Sequence, residues 1–273
     1  MQTRTGRPLA PSCSTPTAAD SGARTRLTRM GPGLEDCPSS ALPRGETSVS
    51  VSGVILAAGT GTRFGGAESK VWALLGERSL LTHAIEAFVR SGEVDELVVV
   101  VRVGEEPRLA ALPPVGLPPH VIAGGERRQD SARAGLAVAT REYILVHDGA
   151  RPLVSPDLIG RVLAAARRYG AAVPVLPVVD TLRYARAGLL RRDTVDREGL
   201  VQIQTPQGFR RDLLLNAYAN AERQGLELPD DAAAVLALGH PVAAVPGDPR
   251  NLKITRPEDL TLAARFLGEP VPG

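Results

Sequence analysis

The chain has 273 residues, 43% of them hydrophobic and only 3% aromatic, with a formal charge of +2. That apolar share can cover both faces of a sheet, whereas so few rings argue against a surface that stacks bases, and so small a charge against a field for polyanions. No apolar run reaches the ~20 residues of a membrane helix, so a cytoplasmic protein without membrane or nucleic-acid partner is expected.

Residues 1–47 read as a disordered or low-complexity extension, rich in Pro, Ser, Thr, Arg, Gly and Ala and without a hydrophobic period. Such a segment buries too little apolar area to offset its ordering entropy. It carries six arginines against four acids, which leaves 26 basic and 26 acidic side chains beyond it. An organelle transit peptide is the second reading of this composition. Both cysteines, Cys13 and Cys37, fall here, so the domain expected over 48–273 holds no disulfide framework and no thiolate metal site, as suits a reducing compartment.

In chain order the domain opens with an apolar strand over Val49–Leu56, and a glycine-rich loop follows it. Helical spacing covers Leu80–Arg90, and Glu96–Val101 is a strand, apolar from Leu97 onward with valine at all of 98–101. A strand at His120–Ile122 precedes a helix over Ser131–Ala139. Tyr143–His147 is a buried strand ending at Asp148, followed by a helix over Pro156–Tyr169 and a strand over Ala171–Val175. Strands alternating with helices predict an α/β fold, a mainly parallel sheet with helices on both faces. Residues 180–203, rich in Arg and Leu, read as a protruding hairpin-like arm that packs on a partner, since it has too little core to stand alone. Pro206 is expected to break the chain before a helix.

Ligands of such sheets bind beyond the carboxyl ends of the strands. The loop Leu56-Ala57-Ala58-Gly59-Thr60-Gly61-Thr62-Arg63-Phe64-Gly65 lies at one such end. Its small residues let backbone N–H groups approach phosphate oxygens. It is neither a dinucleotide fingerprint nor a P-loop. Arg63 and Lys70 stand ready for a polyphosphate. The chain has 30 arginines but only two lysines, Lys70 and Lys253, so these two are singled out as functional: Lys is a compact point charge where Arg is a planar fork. In Gly124-Gly125-Glu126-Arg127-Arg128-Gln129-Asp130-Ser131 the glycines offer amides, and Ser131 is placed to cap the helix or to meet a nucleotide. Asp148, at a strand end, could bind Mg²⁺ beside a triphosphate, or form a structural pair with Arg151; Arg151 could instead hold a substrate phosphate. His147 is read as structural.

In order, these segments resemble the 2-C-methyl-D-erythritol 4-phosphate cytidylyltransferase family over about residues 50–267. The motifs are Leu-Ala-Ala-Gly-x-Gly-x-Arg, Gly-Gly-x-x-Arg-x-x-Ser, His-Asp-x-Ala-Arg-Pro, Asp-Thr, Thr-Val-Asp-Arg, Thr-Pro-Gln and Asn-x-Lys-Ile-Thr-Arg-Pro-Glu-Asp. The resemblance implies a Rossmann-like nucleotidyltransferase fold and transfer of CMP from CTP to a polyol phosphate, with Mg²⁺. It assigns Ala57, Ala58, Gly59, Gly61, Gly125, Glu126 and Ser131 to CTP, and Asp148 to the metal. Arg63, Lys70 and Lys253 are implied at the reacting phosphates. Arg151, Thr181 and Arg197 are implied at the second substrate, the last two from the arm of a homodimer partner, with Arg197 also catalytic. A ribitol- or other pentitol-phosphate cytidylyltransferase, a nucleotidyltransferase using another base, and a non-catalytic CTP-binding protein are the alternatives. Two positions depart from the family pattern. Ser69 replaces the proline before Lys70, and Pro229-Asp230-Asp231 replaces a Thr-Asp-Glu run, so a hydroxyl and a backbone N–H are missing at position 229.

Overall fold

The computed structural model describes residues 50–268, apart from Thr60, Thr62, Arg63 and residues 65–68. Strand β1 (Val51–Leu56) enters the glycine loop, and a 3-10 turn at Lys70–Trp72 leads to the short β2 (Leu74–Leu75) and β3 (Arg78–Ser79). Helix α1 (Leu80–Ser91), β4 (Glu96–Val101), α2 (Glu106–Ala110), β5 (His120–Ala123), α3 (Arg128–Val138) and β6 (Tyr143–Asp148) follow. Next come α4 (Pro156–Tyr169), β7 (Ala171–Pro177), β8 (Arg183–Arg186), β9 (Leu189–Thr194) and β10 (Val201–Ile203). The described chain closes with β11 (Gln207–Arg210), α5 (Arg211–Arg223), α6 (Asp231–Ala237), β12 (Ala243–Pro246) and α7 (Pro257–Leu267).

The main sheet runs β10-β7-β11-β6-β1-β4-β5, with β12 also beside β7. β1 is parallel to β4 and β6, and β4 to β5, as the alternating pattern predicts. Its central strands are apolar on both faces because both faces are covered. Ile55, Leu97, Val99 and Leu145 pack toward α1 and α4 with Phe88 and Leu158, whereas Val54, Val98, Val100 and Val146 pack toward α3 and α5 with Leu136 and Leu214. The α1 ring of Phe88 lies where a side chain on Gly53 would stand, 2.7 Å from the position of an added Cβ.

Helix limits follow local chemistry. The Ser79 hydroxyl accepts from the Thr82 N–H and Gly92, at φ 66°, ends α1. Ser155 caps α4 in the same way, with Pro156 in its first turn and Gly170, at φ 82°, at its end.

Two expectations are corrected. No helix directly follows Pro206: β11 comes first, antiparallel to both β6 and β7, filling the gap between them. Ser131 does not cap its helix. α3 starts three residues earlier, where the Asp130 carboxylate accepts from the Arg127 backbone N–H at 3.2 Å and so satisfies a free helix-end donor. The arm is more divided than a single hairpin. β8 and β9 form their own two-stranded sheet, while β10 returns to pair with β7. Every residue of β8 and β9 is exposed.

Candidate active site

A cleft of about 270 Å³ opens at the carboxyl ends of β1, β5 and β6. Three loops build it, and backbone bonds to the sheet hold them in place. The Ala57 N–H donates to Val100 O at 2.7 Å, Gly124 N–H to Val101 O at 2.7 Å, and Gly149 N–H to Leu56 O at 2.8 Å. The first two loops touch. A Cβ on Gly124 would stand 2.4 Å from the Ala58 Cβ and 2.7 Å from the Ser131 hydroxyl, so only glycine fits there. Gly61, at φ 64°, turns the first loop back toward Lys70 in a left-handed conformation. The Ser69 hydroxyl donates to Gly59 O at 3.1 Å, a tie across that turn that proline could not make.

Ala57, Ala58, Gly59, Gly61, Gly125, Glu126 and Ser131 all border the cleft, as do Lys70, Asp148 and Lys253. Ser131 lies within α3, and the Gly125 N–H donates to its hydroxyl at 3.2 Å. Arg63 falls outside the described residues. Arg151 does not border the cleft. It is 9% exposed, and its guanidinium donates to Asn251 O at 2.7 Å. Thr181 and Arg197 do not border it either. Both are exposed in the arm region, and Arg197 donates to Val179 O there.

The far loop, which carries Lys253, docks by a chain of side-chain bonds. The Asn251 amide donates to Thr205 O at 2.8 Å, and the Ile254 N–H to Ala150 O at 2.8 Å. His147 is fully buried beneath them. Its Nε2 lies 3.1 Å from Arg151 O, which can only accept, so Nε2 carries the proton. Nδ1 therefore accepts from the Thr205 hydroxyl at 3.0 Å, and that oxygen accepts from the Asp148 N–H at 3.0 Å. Burial pushes the imidazole down to about 4, so His147 is a neutral tie and no proton carrier at neutral pH.

Asp148 is 8% exposed at the end of β6. Lys253 Nζ lies 2.8 Å from its carboxylate, Arg128 Nε 3.4 Å and Arg151 Nε 3.8 Å. Burial alone would push its carboxyl up, but these cations hold it well below the usual carboxylate range. Among the described residues no cluster of three His, Cys, Asp or Glu side chains could hold a metal by itself. One ionised carboxylate at the cleft edge does fit Mg²⁺ in its usual manner, with substrate phosphates and water supplying the other oxygens.

Sequence reading left Arg128 unassigned, although it is the arginine of Gly-Gly-x-x-Arg-x-x-Ser. Its Nη2 donates to Asp231 at 2.7 Å, and Asp231, fully buried, accepts on its other oxygen from the Tyr218 hydroxyl at 2.6 Å. Gln207 completes the support, its Oε1 accepting from the Asp231 N–H at 3.1 Å and the Ala232 N–H at 3.0 Å. Among the described residues, the cleft border carries Lys70, Arg127, Arg128 and Lys253 against Glu126 and Asp148, an excess of positive charge that suits a polyanion.

A mostly parallel sheet whose strand ends present glycine loops, two lysines and the buried Asp148 carboxylate suits a nucleotidyltransferase. The comparisons narrow this class: residues 51–269 match the family model of 2-C-methyl-D-erythritol 4-phosphate cytidylyltransferase. The chain belongs to that family. It is 42% identical over 229 residues to the 2-C-methyl-D-erythritol 4-phosphate cytidylyltransferase of Syntrophotalea carbinolica, covering 81% of this chain and 98% of the relative. It is 47% identical over 226 residues to a bifunctional enzyme IspD/IspF of Anaeromyxobacter sp., covering 81% of this chain but 58% of that longer protein. The crystal structure of the 2-C-methyl-D-erythritol 4-phosphate cytidylyltransferase of Thermus thermophilus superposes with a TM-score of 0.68 at 44% identity, over 80% of this chain and 98% of the other. Among the described residues, no helix is long and apolar enough to cross a membrane.

Proposed function

We propose that the protein transfers CMP from CTP to 2-C-methyl-D-erythritol 4-phosphate, giving 4-diphosphocytidyl-2-C-methyl-D-erythritol and pyrophosphate. The observation that carries this reading is the meeting of the glycine loop, Lys70, Asp148 and Lys253 around one cleft. The family match over residues 51–269 supplies the nucleotide and the polyol phosphate.

In this reading a phosphate oxygen of the polyol attacks the α-phosphorus of CTP in line, and the bond to the β-phosphate oxygen breaks. The nucleophile is already an anion, so no general base is needed, and a neutral buried His147 fits that economy. The obstacle is bringing two anions together and stabilising the charge added at phosphorus. The amides of Ala57, Ala58, Gly59, Gly61 and Gly125, with Glu126 and Ser131, hold the nucleotide. Lys70 and Lys253 stabilise the reacting phosphates, together with Arg63 of the same loop as Lys70. Mg²⁺, bound by Asp148 and the triphosphate, would neutralise phosphate charge.

The second substrate requires more than one chain in this reading. Arg151 gives one N–H group to Asn251 O, and in this reading its other N–H groups hold the substrate near its phosphate, beside Asp148 and the Lys253 loop. Thr181 and Arg197 reach the polyol phosphate from the arm of a partner in a homodimer. Exposed Val179, Leu182, Tyr184, Leu189 and Leu190 support this, since an arm so apolar favours burial against a second copy.

Pyrophosphate release from CTP and Mg²⁺ tests the reading, with methylerythritol phosphate and ribitol phosphate compared side by side. Release with the first alone is expected. Release mainly with ribitol phosphate would move the protein to pentitol chemistry, and CTP binding without release would leave a nucleotide-binding protein.

A further inference from the structure

Arg128 is the cleft cation with the most elaborate support. It opens α3, and its side chain is 26% exposed and borders the cleft. Two carboxylates grip one edge of its fork: Nε faces Asp148 and Nη2 faces Asp231. Nη1 makes no hydrogen bond or ion pair with another described residue. Asp231, in turn, is fully buried, and Tyr218 and Arg128 take its two oxygens. A buried carboxylate that served only the packing of α5 and α6 would need no partner at the cleft. A fork fixed along one edge by anions, with its remaining N–H groups unused, is preorganised for an oxyanion.

We propose that Tyr218 and Asp231 form a positioning device for Arg128, and that Arg128 binds a phosphate group of the nucleotide. The inference rests on the CTP reading above and adds to it a binding residue and two residues that act through it. Asp231 fixes the direction of the guanidinium, and Tyr218 fixes Asp231. Each hydrogen bond along the line joins groups from different segments: α3, α6 and α5.

The test is a set of equilibrium binding measurements on the full chain, with CTP, inorganic tripolyphosphate and cytidine as probes. Arg128→Ala is expected to weaken CTP and tripolyphosphate by roughly tenfold to a hundredfold, in line with loss of a charge-assisted pair, and to leave cytidine unchanged. Asp231→Asn should act in the same direction, and Tyr218→Phe, the mildest change, should weaken CTP by roughly twofold to fivefold with an unchanged fold by circular dichroism. In the Arg128→Ala background, Asp231→Asn and Tyr218→Phe should add less than about twofold, because their effect passes through the guanidinium. Additive losses, or equal losses for cytidine and CTP, would show a packing role only and overturn the proposal. If the native chain fails to bind CTP at all, the nucleotide reading fails instead. Native binding with no loss in Arg128→Ala sinks this inference alone.

Discussion

The ammonium of Lys253 lies 2.8 Å from the carboxylate of Asp148, although one comes from the loop before the last helix and the other from the end of a central strand. The contact exists because Asn251 and Ile254 pin the intervening loop to Thr205 and Ala150. It brings one of the chain's two lysines to the only aspartate bordering the cleft among the described residues.

Lys253→Ala should therefore cut turnover by about 10²-fold, in the range seen for loss of a charge-stabilising donor. Folding should change little, because Arg128 and Arg151 still face Asp148. Steady-state kinetics beside thermal unfolding checks both halves. A large drop in melting temperature with turnover intact would make the pair a structural tie.

Lys70 is presented by the 3-10 turn after the glycine loop, next to Gly61. Lys70→Ala should lower kcat by ~10²–10³ while CTP affinity changes far less, if its charge acts mainly on the transition state. Single-turnover pyrophosphate release and equilibrium CTP binding separate the two quantities. An equal loss in both would assign Lys70 to ground-state binding.

The arm yields a complementation experiment. Arg197→Ala alone should raise KM for the polyol phosphate and spare CTP binding. Mixed with Lys70→Ala chains, it should restore activity toward about a quarter of the native level, since half of the random dimers carry one intact shared site. Absence of any recovery after subunit exchange would show that each chain completes its own site.

A pH effect is expected far from the cleft, at Glu96. Burial pushes its carboxyl up, but hydrogen bonds from Ser52 and Thr140 outweigh this and hold it below its ordinary 4.5. With the folded value depressed, the unfolded chain binds the proton first as pH falls. The stability contributed by Glu96 is thus complete above about 4.5 and fades as pH drops through the folded value. Glu96→Gln should be destabilising near neutral pH, and its gap from the native chain should narrow as pH falls below the ordinary 4.5 in denaturant titrations. A gap independent of pH would mean that the carboxylate charge contributes nothing.

Much of this architecture was legible in residue order. The strands at Glu96–Val101 and Tyr143–Asp148 were expected from their apolar runs, and the helical spacing of Leu80–Arg90 and Pro156–Tyr169 matches α1 and α4 to within one residue. The glycine loop and the two lysines drew attention to the cleft because their residue types are unusual at those places. Strand β11 was not legible. Its sequence Gln-Gly-Phe-Arg has no clear apolar alternation, and it becomes a strand because β6 and β7 leave an unpaired edge on either side of it.

Residue order was enough to establish the alternating strands and helices, the loops that end them and the family motifs, because each depends on neighbours a few residues apart. The sharing of charge between side chains was settled by packing instead. Position 231 read as a departure from the family run, yet it is the buried acid that links Tyr218 to Arg128 and, through Arg128, to Asp148. Arg151 carries a tie that residue order does not show, from its guanidinium to Asn251 O. Such pairings join residues from separate loops and helices, and their strength depends on the water that packing removes, which no local pattern encodes.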